Sequence, residues 1–173
     1  MSWLFWIVFG IILAFGLVVF RGAPYVPSHR RQVERAFTKL RPLRKSDVVI
    51  DAGSGDGVIL RLASRKGARA VGYELNPLLV LISRFLSRRD ERVQVRLGDF
   101  WRVSLPEDTT LVYGFMVERD IKKMANKMQQ EANRLGRTLE FISYGSSIPE
   151  MKATGQLGAH HLYRFEPLQR TEA

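Results

Sequence analysis

Cysteine is absent from this 173-residue chain. That excludes disulfides, thiolate nucleophiles and cysteine-based zinc sites. Histidine is scarce: His29, His160 and His161 are the three. They are too few and too separated to suggest a metal site, so no metal is expected and surface or partner roles are expected for them. The one dense glycine turn is not followed by Gly-Lys-Ser/Thr, which excludes a Walker phosphate loop. There are no internal repeats or low-complexity tracts. Acid is under-represented, with 17 Asp and Glu against 27 Lys and Arg, a net charge of +10. Such a balance suits anionic lipid heads, where each basic side chain near the surface contributes about 1 kcal/mol. It would also suit nucleic acid. However, the basic residues are spread over several predicted helices: Arg61, Arg65 and Lys66, then Arg84, Arg88 and Arg89, then Lys122, Lys123 and Lys127. No RNA-binding aromatic signature or zinc-finger spacing accompanies them. A specific nucleic-acid partner is therefore not expected.

Charge is also missing from residues 3–20, which run from Trp3 to Phe20 almost without a polar atom. A bilayer core needs about 20 apolar residues as helix, with a lower bound near 17. The flanks are wrong for a cleaved signal: no basic side chain precedes the run, and Val18-Val19-Phe20 is bulky where cleavage needs small residues. The expectation is a single uncleaved transmembrane helix, with the lipid bilayer as partner of residues 3–20. Arg21, Arg30, Arg31, Arg35, Lys39, Arg41, Arg44 and Lys45 follow it closely. By the positive-inside rule the domain lies on the cytosolic side, or in an organelle interior such as the mitochondrial matrix if the cell is eukaryotic. The expected organisation is an anchor over 1–21, a connector with an amphipathic helix over 22–46, and one domain over 47–173.

What the chain has is Val48-Val49-Ile50-Asp51-Ala52-Gly53-Ser54-Gly55-Asp56-Gly57. An apolar run ends in an acid and a glycine turn, and Val58 to about Lys66 then reads as a helix closed by Gly67. Ligands of open α/β sheets sit beyond the carboxyl ends of the strands, where glycines let them approach the main chain. Ala70 to Glu74 reads as the next strand, ending in a carboxylate about twenty residues on, placed for ribose hydroxyls. Val93 to Leu97 alternates as a strand and ends in Gly98-Asp99-Phe100. The D-x-G-x-G-x-G pattern resembles the first motif of class I methyltransferases, which use S-adenosylmethionine. The resemblance implies cofactor contacts from Asp51, Gly53, Ser54, Gly55 and Gly57, from Glu74 to both ribose hydroxyls, and from Leu75. It implies that Asp99 accepts from the adenine amine and that Phe100 covers the ring.

The remaining elements alternate. Gln32 to Leu40 is amphipathic, and Pro42 ends it. Strands are expected at Asp47 to Ile50, Thr110 to Met116, Thr138 to Tyr144 and His160 to Phe165. Asn76-Pro77 opens a helix reaching Ser87, and Glu118 to Leu135 forms a long one stopped by Gly136. The fold class is α/β, a doubly wound and mostly parallel sheet, Rossmann-like. It is shortened at its carboxyl-terminal end. Between Tyr144 and His160 there is room for a loop and at most a brief strand, which leaves the sixth strand open.

One family fits more closely. The apolar run, Ala23-Pro24-Tyr25-Val26-Pro27-Ser28, Gln32-Val33-Glu34, the Asp51–Gly57 turn, Val71-Gly72-Tyr73-Glu74-Leu75-Asn76-Pro77 and Gly98-Asp99-Phe100-Trp101 together resemble the membrane-anchored lysine methyltransferases of the ATP synthase c-subunit and the adenine nucleotide translocase. That resemblance implies methylation of a lysine in a membrane-embedded or membrane-associated protein. It also implies a connector in which Tyr25 and Pro27 close over the cofactor; a rigid linker reads equally well from the residues. Gly114-Phe115-Met116-Val117-Glu118 departs from the family's small, proline-containing stretch. Phe115 and Met116 border the acceptor in this class, so the resemblance does not carry acceptor identity. No nucleophile is paired with a base, and no catalytic residue is named. Methyl transfer to a membrane lipid or small molecule, or a non-catalytic scaffold that keeps the fold, are the alternatives.

Overall fold

The computed structural model describes residues 3–10 and 30–168. Residues 3–10 form a helix, α1, whose side chains are exposed. Residues 11–20 of the apolar run, and Tyr25, Pro27 and His29, lie outside the described residues. Among the described residues no helix is long and apolar enough to cross a membrane.

From Arg30 onward the elements are α2 (Arg30–Arg35), a π-helical turn (Ala36–Leu40), β1 (Val48–Ala52), α3 (Val58–Arg65), β2 (Arg69–Glu74), α4 (Pro77–Leu86) and β3 (Val93–Leu97). A 3-10 turn (Phe100–Arg102), β4 (Leu111–Met116), α5 (Glu118–Leu135), β5 (Leu139–Gly145), β6 (Gly155–Leu157) and β7 (His160–Phe165) complete the elements of the described residues. They build one seven-stranded sheet in the order β3-β2-β1-β4-β5-β7-β6. The first five strands are parallel, and β7 runs antiparallel to β5 and to β6. The sixth strand therefore exists, three residues long, and no helix separates it from β5. The shortening falls on the helical layer, leaving the strand count whole.

β1 is buried on both faces, as a central parallel strand must be. Val48 and Ile50 join a core under α5 with Val112, Met124, Met128, Phe141 and Tyr163. Val49 joins the opposite core with Phe37, Leu60, Leu111, Tyr113 and Ile142. The amphipathic helix differs from expectation in its second half, where Arg41 N donates to Ala36 O at 2.9 Å, five residues back. This wider turn keeps Ala36 and Phe37 buried. The Arg41 guanidinium then bridges Asp47 and Glu140, tying the turn to the rim of β1 and β5.

Candidate functional site

Asp51 stands in β1 opposite Gly72 of β2 and Tyr113 of β4. Beyond it the chain turns through Gly53, Gly55 and Gly57, all at positive φ (108°, 52° and 79°), which an L side chain rarely adopts. Gly53 N and Ser54 N both donate to Tyr73 O at 3.0 Å, locking the turn to β2. The Glu74 carboxylate completes the clasp. Its Oε2 accepts from Gly55 N at 2.9 Å and its Oε1 from Asn76 N at 2.7 Å. One carboxylate thus holds the turn after β1 and the turn after β2. Asn76 Oδ1 in turn caps α4, accepting from Leu78 N at 2.9 Å.

The glycines divide their work. A Cβ on Gly53 would meet nothing within 4 Å, so that side of the turn is open. A Cβ on Gly57 would sit 2.1 Å from Ser83 Oγ of α4, and one on Gly72 would fall 2.5 Å from the Ser54 side chain. These two glycines serve close packing of turn, strand and helix. Ser54, a sequence candidate, is buried against Gly72. The sequence reading missed Gly72 and Ser83; neither shows a pattern until the fold brings the turn against α4.

Asp51 is 3% exposed, and its Oδ2 finds no hydrogen-bond partner among the described residues. Burial pushes its carboxyl up to about 8, with the charges of Glu74 and Asp56 adding to the effect. A neutral carboxyl can donate or accept a hydrogen bond there, and a cation brought against it would favour its ionised form.

Asp99 stands at the tip of β3. It caps the short 3-10 turn by accepting from Trp101 N at 3.0 Å and pairs with Arg102 at 3.5 Å. Gly98 N donates to Glu74 O at 3.0 Å, so the tips of β2 and β3 are joined. Asp51, Glu74 and Asp99 therefore end three neighbouring strands along one rim. Phe100 corrects its expectation. Its ring is 6% exposed, packed in the α5 core against Tyr73 and Trp101, because the 3-10 turn rolls it inward. Leu75, just beyond β2 at this rim, is 37% exposed.

At the ends of β4 and β5 lies an aromatic wall. Phe115 is half-buried with its ring 5.8 Å from Tyr144, while Met116 is buried. Tyr144 stacks on His160 at 4.7 Å and donates to Gln32 Oε1 of α2 at 3.1 Å. His160 corrects the surface expectation: it is 2% exposed and hydrogen-bonded to Tyr113 through Nε2 at 3.1 Å. Desolvation lowers its pKa from the usual value, so the ring is neutral near pH 7. Tyr144 and His160 were missed because they meet only across the antiparallel β5–β7 pairing. Among the described residues no group of three His, Asp or Glu side chains is placed to hold a metal.

S-adenosylmethionine fits this rim. The open side of Gly53, the unpartnered Asp51 oxygen and the exposed Leu75 offer room, a hydrogen-bonding acid and apolar surface at the carboxyl ends of β1 and β2.

Comparisons with known proteins agree in kind. The chain is 36% identical over 119 residues to the ATP synthase c-subunit lysine N-methyltransferase of Xenopus laevis, covering 67% of this chain and 51% of that protein. It is 38% identical over 112 residues to the adenine nucleotide translocase lysine N-methyltransferase of Mus musculus, covering 62% and 48%. The chain thus spans about half the length of these curated relatives. Among solved structures it is similar to an RNA methyltransferase from Salinibacter ruber in complex with S-adenosyl-L-homocysteine, with a TM-score of 0.71 and 26% identity. That match covers 86% of this chain and 98% of the other. The ANTKMT methyltransferase domain matches residues 51–154, from the acid of β1 to the approach of β6 and more than half of the chain, and the protein belongs to that methyltransferase family.

Proposed function

We propose that this protein is an S-adenosylmethionine-dependent methyltransferase that modifies a lysine of a membrane protein. One observation carries the cofactor side of the reading: a single carboxylate, Glu74, clasps the turns after β1 and β2 beside an unpaired, buried Asp51. The acceptor side is supported by the likeness to the lysine N-methyltransferases. Glu74 keeps lone pairs for ribose hydroxyls, Asp51 meets the cationic amino-acid end, and Asp99 accepts from the adenine amine. The bound cofactor supplies a methyl group already activated on a sulfonium. The protein then has only to position the acceptor and exclude water. Phe115 and Tyr144 form a wall that desolvates an incoming lysine, lowering its pKa toward the neutral amine that attacks. The neutral His160 stiffens that wall from behind.

The apolar residues 3–20 act as a single-span anchor in this reading, with the basic residues after it and the domain on the cytosolic or matrix side. Tyr25 and Pro27 belong in this reading to the connector over residues 22–46, with the role of covering the cofactor. A second reading, an RNA acceptor, is favoured by the near-complete overlap with the Salinibacter ruber protein and by the charge of +10.

One assay separates the readings. The full chain is incubated with host membranes, host RNA and methyl-labelled cofactor, and label is counted in protein, lipid and RNA fractions. Label in a membrane protein, mapped to a lysine by mass spectrometry, is the expected result. Label confined to RNA or to lipid overturns the lysine assignment. No binding of S-adenosylmethionine at millimolar concentration overturns the enzyme.

A further inference from the structure

α4 is built inside out. A helix packed on a sheet turns its large apolar side chains inward. In α4 the buried positions are Val80 and Ser83, followed just past the helix by Ser87. Leu81, Ile82, Phe85 and Leu86 face outward, at 62%, 40%, 64% and 49% exposure. Ser83 is small for a reason: Gly57 of the cofactor turn approaches so closely that even a Cβ there would strike it. The inward face is used up by that contact, but nothing about it requires leucine, isoleucine and phenylalanine outside. Leu78, Leu81, Ile82 and Phe85 recur at helical spacing and make one stripe. Leu97, 57% exposed, ends β3 on the side of that strand that carries Val93 and Val95 to the same core.

Arginines accompany the stripe in the chain, within α4 and just after it. Arg84, Arg88, Arg89 and Arg92 are exposed, against two acids in the same stretch, Asp90 and Glu91. Arg84 donates to Val95 O from both Nε and Nη2, fixing the helix on β3. Arg88 lies over the Phe85 ring at 4.3 Å.

We propose that this face of α4 docks on an anionic bilayer surface. Such a surface offers both complements at once, acyl chains for the leucines and Phe85 and phosphates for the arginines, whose stems can lie along the apolar layer. A second copy of the chain would set arginines against arginines. The chain's own apolar run, residues 3–20, has no acid to meet them. Because α4 starts beside Glu74, docking holds the cofactor end of the sheet at the lipid. The contact is additional to any anchor and independent of the identity of the methyl acceptor.

The absence of cysteine makes the test clean. Single-cysteine variants Phe85→Cys and Leu81→Cys, with Gln130→Cys on the exposed side of α5 as control, are labelled with nitrobenzoxadiazole in the full chain. Each is reconstituted into phosphatidylcholine vesicles with or without phosphatidylglycerol. Labels at 85 and 81 should shift to the blue, brighten several-fold and be quenched by nitroxide-bearing lipids only when phosphatidylglycerol is present, while the label at 130 stays aqueous. Adding Arg88→Glu and Arg89→Glu should raise the phosphatidylglycerol fraction needed. The proposal is overturned if the labels at 85 and 81 remain as accessible to aqueous iodide as that at 130. It is also overturned if they are shielded without lipid quenching, whether independently of protein concentration (the chain's own segment) or in proportion to it (a second copy). The readout involves no methyl transfer, so its failure leaves the enzymatic reading to its own assay.

Discussion

Asp51→Asn should make the protein more stable and less able to bind its cofactor. The Asp51 carboxyl is held at about 8 in the fold, against 3.8 for the ordinary group. Between those values the folded state keeps a proton that the unfolded state has released, so stability falls as pH rises, by about 1.4 kcal/mol per unit for a fully realised shift. At pH 7 the ceiling is about 4 kcal/mol, which water entry and movement of the turn reduce. Asn keeps the shape and carries no charge. Urea unfolding should therefore show little difference between variant and wild type near pH 4, a gain for the variant that grows toward pH 8, and a plateau beyond. Binding runs the other way. The α-ammonium group of the ligand favours the ionised acid. Below pH 8 the affinity of the wild type for S-adenosylhomocysteine, a neutral zwitterion that still carries that ammonium, should therefore rise with pH by up to about tenfold per unit, with release of a proton. Calorimetry at pH 6, 7 and 8, in buffers of different ionisation enthalpy, measures both quantities. Affinity that is flat across that range with no proton released, or a variant that is destabilised at pH 8, would refute the role given to Asp51.

Glu74→Gln should weaken cofactor binding by about 1.5–3 kcal/mol, the range for hydrogen bonds to a charged group, and calorimetry checks it. Because Glu74 also clasps two turns, amide exchange at Gly55 and Asn76 should accelerate in the same variant. Gly57→Ala should cost at least about 1–2 kcal/mol from its positive φ alone, and more from the clash with Ser83; Ser83→Gly in the same chain should restore only the second part, as read by urea midpoints. His160→Gln should flatten the acid side of the stability profile. The buried ring resists protonation that the unfolded chain accepts, so wild-type stability drops as pH falls below about 6.5, and the variant should lose less between about pH 7 and 5.

The three acids were legible in the sequence because each ends a strand, and strand ends are marked locally by an apolar run meeting a turn. Asp51, Glu74 and Asp99 do share one rim. The place of Phe100 over the adenine came from resemblance and not from local pattern, and no local pattern showed that the 3-10 turn Asp99 caps sets its ring in the core. Local reasoning failed at His160, where burial depends on β7 lying against β5, a pairing of residues far apart in the chain. β6 could not be read because three residues carry no periodicity.

The sequence by itself determined the parallel β/α order, the glycine turn and the acids at the strand tips, since these depend on neighbours a few residues away. Only the tertiary structure decided which glycines admit a ligand and which admit a helix, since Gly53 and Gly57 differ in what stands across from them. It also decided that the Glu74 carboxylate joins two turns, that Asp51 is held neutral, and that α4 turns its leucines outward. Each of these arises from groups distant in the chain being pressed together where water is excluded, and no local pattern of residue types encodes that contact.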